Sequence, residues 1–163
     1  MDYLIRRATK ADEQFLWQML YYAAHMDEDG DRSADSARTN PNLAPYVANW
    51  GEYRTDLGFI AVEPQSGLAV GAAWIRPMPP GNPLYNHVAP DTPELAIAVA
   101  PGHLGNGIGS LLLTSLLTTA QDLIPTIALS VRDTNPAKRL YERFGFVRVG
   151  HVGTSWTMQR ILD

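Results

Sequence analysis

Between residues 101 and 110 the chain reads Pro101-Gly102-His103-Leu104-Gly105-Asn106-Gly107-Ile108-Gly109-Ser110. The run follows an apolar segment, Leu95-Ala96-Ile97-Ala98-Val99, and leads into a helix-like segment from Ser110 to Gln121. An apolar strand feeding a helix through alternate glycines leaves a row of backbone N–H groups with no side chains in the way. The helix behind them adds the positive end of its dipole. Such a run is either an ordinary strand-to-helix turn or a cradle for a phosphate or pyrophosphate.

The rest of the chain alternates short strands and helices. Tyr3–Arg7 reads as a strand, Thr9 is placed to cap a helix, and Phe15, Leu16, Met19 and Leu20 recur at helical spacing to about Tyr22. An acidic run, Asp27 to Asp31, follows, and Pro45 to Trp50 reads as a second short helix. Gly58–Val62 and Leu68–Ile75 read as strands joined by a hairpin turn at Pro64-Gln65-Ser66-Gly67. Pro77 to Pro93 carries too many prolines and glycines for a helix interior or a central strand, so it is a long loop of the kind that is often functional. Glu94–Val99 and Thr126–Val131 are the next strands. Asn135 and Pro136 suit the start of a helix whose end is marked by Gly145. Phe146–Val149 and Ser155–Ile161 close the chain as a hairpin. Residues 1–163 are expected to form one domain, without repeats or a linker.

Composition narrows the function. The net charge of −4 argues against a nucleic-acid or anionic-membrane surface. No apolar run approaches the roughly 20 residues of a spanning helix, and residues 1–7 carry no signal-peptide stretch, so a cytoplasmic location is expected. The absence of cysteine excludes disulfides, zinc thiolate sites and a cysteine nucleophile. If the chain transfers an acyl group, direct transfer between two bound substrates is favoured. The acidic run is read first as a solvated segment, although it could attract a cationic acceptor. It is no calcium loop: Arg32 stands where the invariant glycine belongs and Arg38 where the bidentate glutamate belongs.

Two separated motifs agree on a family. Pro101 to Ser110 resembles the pyrophosphate loop of the GNAT superfamily of acyl-CoA N-acyltransferases. Asn135-Pro136-Ala137-Lys138-Arg139-Leu140-Tyr141-Glu142-Arg143-Phe144-Gly145-Phe146 resembles that family's later Asn-x-x-Ala-x-x-Leu-Tyr-x-x-x-Gly-Phe motif. The element order is similar over nearly the whole chain. The resemblance implies an α/β (α+β) fold, a mixed and mostly antiparallel sheet flanked by helices. It also implies acetyl-CoA held where Glu94–Val99 and Thr126–Val131 splay apart. The family usually has Arg or Gln where this chain has Leu104, so a charge-assisted bond of about 1.5–3 kcal/mol is missing. The backbone donors of Leu104, Gly105, Asn106, Gly107, Ile108, Gly109 and Ser110 do not depend on that side chain. His103 could replace the charge only if protonated, and a neutral exposed ring is expected.

The same resemblance assigns roles. Backbone groups of Ile97, Ala98 and Val99 would pair with the pantetheine arm, as an added strand does, and one N–H would polarise the thioester carbonyl; the alternative is a fully paired core strand. Asn135 is a helix cap that would also approach the cofactor. Tyr141 is a core aromatic whose hydroxyl would protonate the departing thiolate. Glu94 is either a solvated strand-end carboxylate or the base, as in family members that carry a glutamate at a similar place. An alkylamine is neutral only about once in 10³ molecules at pH 7, so an acceptor needs such help. His87 is an alternative base. Tyr21, Tyr22, Trp50, Trp74 and Tyr85 are candidates for the acceptor pocket or for the core. Glycine loop and motif together imply an N-acetyltransferase acting on a primary amine. The alternatives are a non-catalytic acyl-CoA-binding module and a dinucleotide-binding domain. The last is disfavoured because the glycine turn comes late and no acidic residue ends a following strand. Peptide N-termini, lysine, aminoglycosides, polyamines and small amino compounds all stay open as acceptors. A homodimer is common for such domains.

Overall fold

The computed structural model describes residues 2–25, 30 and 35–162. In chain order the elements are β1 (Leu4–Arg7), α1 (Glu13–Ala23), the single turn α2 (Ser36–Thr39), β2 (Leu57–Val62), β3 (Ala69–Arg76), β4 (Glu94–Val99), α3 (Ile108–Ala120), β5 (Thr126–Arg132), α4 (Lys138–Arg143), β6 (Val147–Val152) and β7 (Ser155–Ile161). Among the described residues the strands make one sheet in the order β1-β2-β3-β4-β5-β7-β6. Every neighbouring pair is antiparallel except β4 and β5. This is the mixed, mostly antiparallel sheet that the resemblance implied.

The sheet is buried on both faces at its centre, which is why β3 reads as a continuous small-and-apolar run. On one face α3 lays Leu112, Leu113 and Leu116 against Leu95, Ile127, Leu129 and Met158. On the other, α1 lays Leu16, Met19 and Leu20 against Ala72, Trp74 and Ala96. Side chains alternate along β4, so Leu95, Ile97 and Val99 point toward α3, and Glu94, Ala96 and Ala98 toward α1. Among the described residues no helix is long and apolar enough to cross a membrane.

Element boundaries move where local chemistry competes. The expected helix at Pro45–Trp50 is one 3-10 turn, Ala44–Tyr46, because Asn49 and Gly51 then take positive φ and break any continuation. α2 has no hydrophobic period to announce it. α3 starts at Ile108, two residues before the expected Ser110, with Gly107 at φ +77° as its N-cap. α4 starts at Lys138, because Asn135 folds its side chain onto the Ala137 N–H at 2.9 Å and makes a turn first. Its end is as expected: Gly145 takes φ +88°, its N–H bonds Glu142, and the Phe146 N–H reaches back to the Tyr141 carbonyl. The Pro77–Pro93 loop contains a 3-10 turn, Pro83–Asn86, capped by Asn82.

Candidate active site

β4 and β5 run parallel but share a single register pair, Glu94 with Ala128. Beyond it they diverge toward their C-terminal ends, and a cavity of about 620 Å3 opens between them. The pairing of β4 with β3 decides what faces that gap. The Ala100 N–H bonds the Val70 carbonyl on the β3 side, and antiparallel pairs alternate. Residues 94, 96 and 98 therefore turn their backbone groups to β3, whereas Leu95, Ile97 and Val99 turn theirs into the gap. Of the three candidates on this strand, Ile97 and Val99 present backbone donors and acceptors to the cavity. Ala98 contributes its methyl group to the wall instead.

The glycine loop closes the wide end of the cavity. Gly102, Gly105 and Gly107 all have positive φ, between +77° and +94°, a conformation that side chains disfavour. A Cβ at Gly105 or Gly107 would meet nothing within 4 Å, so their faces are open. Backbone N–H groups from Leu104 to Ser110 donate to no backbone carbonyl among the described residues. Together with the N-terminus of the 13-residue α3 they make a set of donors that an anionic group fits. Gly109 is needed for a different reason. A Cβ there would lie 3.1 Å from Leu140, so this glycine lets α3 and α4 approach. Leu104 is 69% exposed and holds nothing. His103 is half-buried, its Nδ1 placed 3.2 Å from the Tyr3 hydroxyl and 3.9 Å from Glu63, while Asn106 donates to the His103 carbonyl.

Glu94 and Tyr141 both line the cavity. Glu94 is 2% exposed, and its Oε1 has no hydrogen-bond partner. The side chain bonds the Ser130 hydroxyl on β5. Burial pushes the carboxyl up from 4.5 to about 8, and the Ser130 bond only partly opposes this. Tyr141 is packed edge-on against Phe146, and burial raises its hydroxyl above the usual phenol value. Asn135 caps the turn before α4 and also bonds His25, which follows α1 with φ +58°, so it ties the α1 end to the far side of the cavity.

Several candidates lie elsewhere. His87 packs its ring against Gly150 on β6, where a Cβ would collide with it, and it lines neither cavity. The Tyr85 hydroxyl clasps its own loop through the Met78 N–H and the carbonyls of Met78 and Thr92. Trp50 and Trp74 are core residues, the latter bonding the Tyr46 carbonyl. Tyr22 lines the cavity; Tyr21 packs edge-on against it but does not. The acidic run 27–31, except Gly30, lies outside the described residues, as does Arg32. Arg38 stacks on Trp17 and bonds Gln14.

Sequence reasoning missed Ser130, Ser155 and Tyr46. They line both the main cavity and a second one of about 530 Å3 beneath the proline-rich loop. Alternate hydroxyls on β5 and β7 could have been read as polar positions on one sheet face, but only the β5–β7 pairing shows that they meet: Ser130 lies opposite Thr157 and Arg132 opposite Ser155.

The family model described as Acetyltransferase (GNAT) family matches residues 13–146. No curated protein matches the sequence. Among solved structures, yncA from Salmonella typhimurium with its cofactor acetyl-CoA is 23% identical, with a TM-score of 0.67 over 100% of this chain and 95% of that one. The ribosomal-protein-alanine N-acetyltransferase of Brucella melitensis is 23% identical, with a TM-score of 0.67 over 98% and 99%. A phosphinothricin acetyltransferase of the GNAT superfamily from Sinorhizobium meliloti, in complex with acetyl-CoA, is 19% identical, with a TM-score of 0.68 over 100% and 90%. At these identities the likeness is one of fold.

Proposed function

Because this chain belongs to the acetyltransferase (GNAT) family, we propose that it moves an acetyl group from acetyl-CoA to the primary amine of an acceptor, by direct attack with both substrates bound. The observation that carries this reading is the cavity between β4 and β5. One wall offers unpaired backbone groups, one end offers the glycine loop, and the floor holds a buried carboxyl with a free oxygen. That solved relatives from Salmonella and Sinorhizobium hold acetyl-CoA supports the choice of cosubstrate. The absence of cysteine leaves no thiol to carry the acetyl group between substrates.

Acetyl-CoA supplies an activated acetyl thioester. The N–H groups of residues 104–110 hold its diphosphate, and Asn135 borders the same space. The backbone of Ile97 and Val99 holds the pantetheine arm as a neighbouring strand would, and a gap-facing N–H stabilises the charge that develops on the carbonyl oxygen. Glu94 takes the amine proton at Oε1. Its elevated pKa makes it a stronger base than an ordinary carboxylate, and close to the working pH. Tyr141 keeps its proton until a thiolate needs it, because burial disfavours the phenolate. Two measurements test the reading. Calorimetry should show coenzyme A binding, and acetyl-CoA with a panel of amines should release free thiol. Failure of coenzyme A to bind intact protein at millimolar concentration overturns it.

A further inference from the structure

The second cavity says what kind of amine enters. It joins the first at Leu43, Tyr46, Ser130 and Ser155, and Ser130 is the residue bonded to Glu94. The second cavity thus adjoins the residue that holds Glu94, and an acceptor lying there would reach the carboxyl across this shared rim. Its walls include five prolines (Pro41, Pro45, Pro79, Pro80 and Pro83) and Tyr46. The polar groups are neutral: the amides of Asn42 and Asn82 and the hydroxyls of Ser130, Ser155 and Thr157. Among the described residues no acidic, basic or histidine side chain lines it. Arg132 and His25 line only the first cavity; Arg132 bonds the Ala24 carbonyl and His25 bonds Asn135. Arg76 is also close in the sheet, but it is buried and paired with Asp56.

We infer that the acceptor is a small primary monoamine whose non-reacting part is uncharged and largely apolar, such as an arylalkyl- or alkylamine. This rests on the acetyltransferase reading and names the substrate class of that site. A second ammonium, as in a polyamine or an aminoglycoside, would leave water for a wall whose described residues include no carboxylate to face it. A carboxylate or phosphinate tail would enter a wall whose described residues include no cation. A neutral tail leaves no charge unmatched on entry and gains contact with rigid proline rings, which have no rotamer freedom to lose. Among the described residues Glu94 is the one carboxyl that lines either cavity, so the reacting nitrogen is matched there and a second ammonium is not. The volume suits a compact ligand rather than a polymer.

The full-length protein is assayed by thiol release with acetyl-CoA and four acceptors: 2-phenylethylamine, hexylamine, spermidine and phosphinothricin. The expected result is kcat/KM at least tenfold higher for the two monoamines than for either charged compound. Equal or higher kcat/KM for spermidine is the outcome if the acidic run at 27–31 recruits polycations, and it overturns the inference. So does equal or higher kcat/KM for phosphinothricin. Turnover of neither monoamine by protein that binds coenzyme A in calorimetry also overturns it. Loss of coenzyme A binding overturns the acetyltransferase reading instead. The variant Asn82→Asp keeps the side-chain oxygen that caps Leu84 and adds one negative charge to the wall. It should raise kcat/KM for 1,5-diaminopentane relative to pentylamine by about tenfold; an unchanged ratio counts against the neutral wall as the source of selectivity.

Discussion

Arg76 and Glu94 lie directly opposite each other on β3 and β4, yet they do not pair. Side chains at such positions project to the same face of the sheet. Both are almost wholly buried. The guanidinium turns instead to Asp56, with bonds of 3.2 and 2.9 Å, and to the carbonyls of Pro45 and Ala48 at 3.1 and 2.6 Å. Trp50 and Tyr53 stack near it. Glu94 is thus left with Ser130 and no counter-charge, which is why burial dominates its titration.

Asp56→Asn should uncover this arrangement. Removing one partner of a fully buried ion pair typically costs about 3–5 kcal/mol, and a chemical denaturation curve should show a loss of that size. The uncompensated Arg76 charge should then favour ionised Glu94. The acid limb of the kcat/KM profile is expected to move down by about one pH unit. A profile that stays in place shows Arg76 to be purely structural.

Glu94→Gln has two expected effects of opposite sign. Loss of the base should lower kcat/KM about 10²–10⁴-fold at neutral pH, with the residual rate rising as the free amine becomes more abundant. Stability should move the other way. The folded chain holds the Glu94 proton up to about pH 8, whereas the unfolded chain releases it near 4.5. The stabilisation is therefore complete below 4.5 and lost as pH rises toward 8. Gln has no such loss, so the melting temperature of the variant should gain on the native protein between pH 5 and 8. The gain at pH 8 corresponds to roughly 3–5 kcal/mol. Parallel melting curves across that range would show that Glu94 ionises as freely as an exposed carboxylate.

Tyr141→Phe should lower kcat by about 10- to 100-fold with little change in coenzyme A affinity. The ring packing on Phe146 is kept, so thermal stability should hold. Unchanged kcat at every pH removes the hydroxyl from the proton path.

Leu104→Arg should restore the missing phosphate bond. The side chain is 69% exposed and buries nothing, so the exchange is structurally cheap. The Kd for coenzyme A should fall about tenfold at low salt, and the gain should shrink as ionic strength rises.

Gly107→Ala tests the loop backbone. There is room for a methyl group, but φ of +77° costs an L-residue about 1–2 kcal/mol. Calorimetry should show weaker coenzyme A binding, because the alanine favours a loop whose N–H groups no longer converge.

Much of this was legible in the sequence, for physical reasons. β4 has the bounds that its apolar run announced, and the Gly145 helix end followed from the one residue that accepts its φ. Local chemistry of this kind is written in adjacent residues. The second cavity is not, because its wall combines residues 41–46, the loop at 79–84 and strands β5, β6 and β7. The position of His87 is illegible for a related reason. Its seat is made by Gly150, sixty-three residues later, and nothing near His87 points there.

The lone rung between β4 and β5 has a mechanical meaning. It joins two plates, β1–β4 and β5–β7, that the backbone hardly stitches. A ligand lying in the seam becomes the missing stitching, so its grip adds to the cohesion of the whole body and not to a local patch. An enzyme built this way gives up part of its own strength each time the product departs, and regains it with the next arrival.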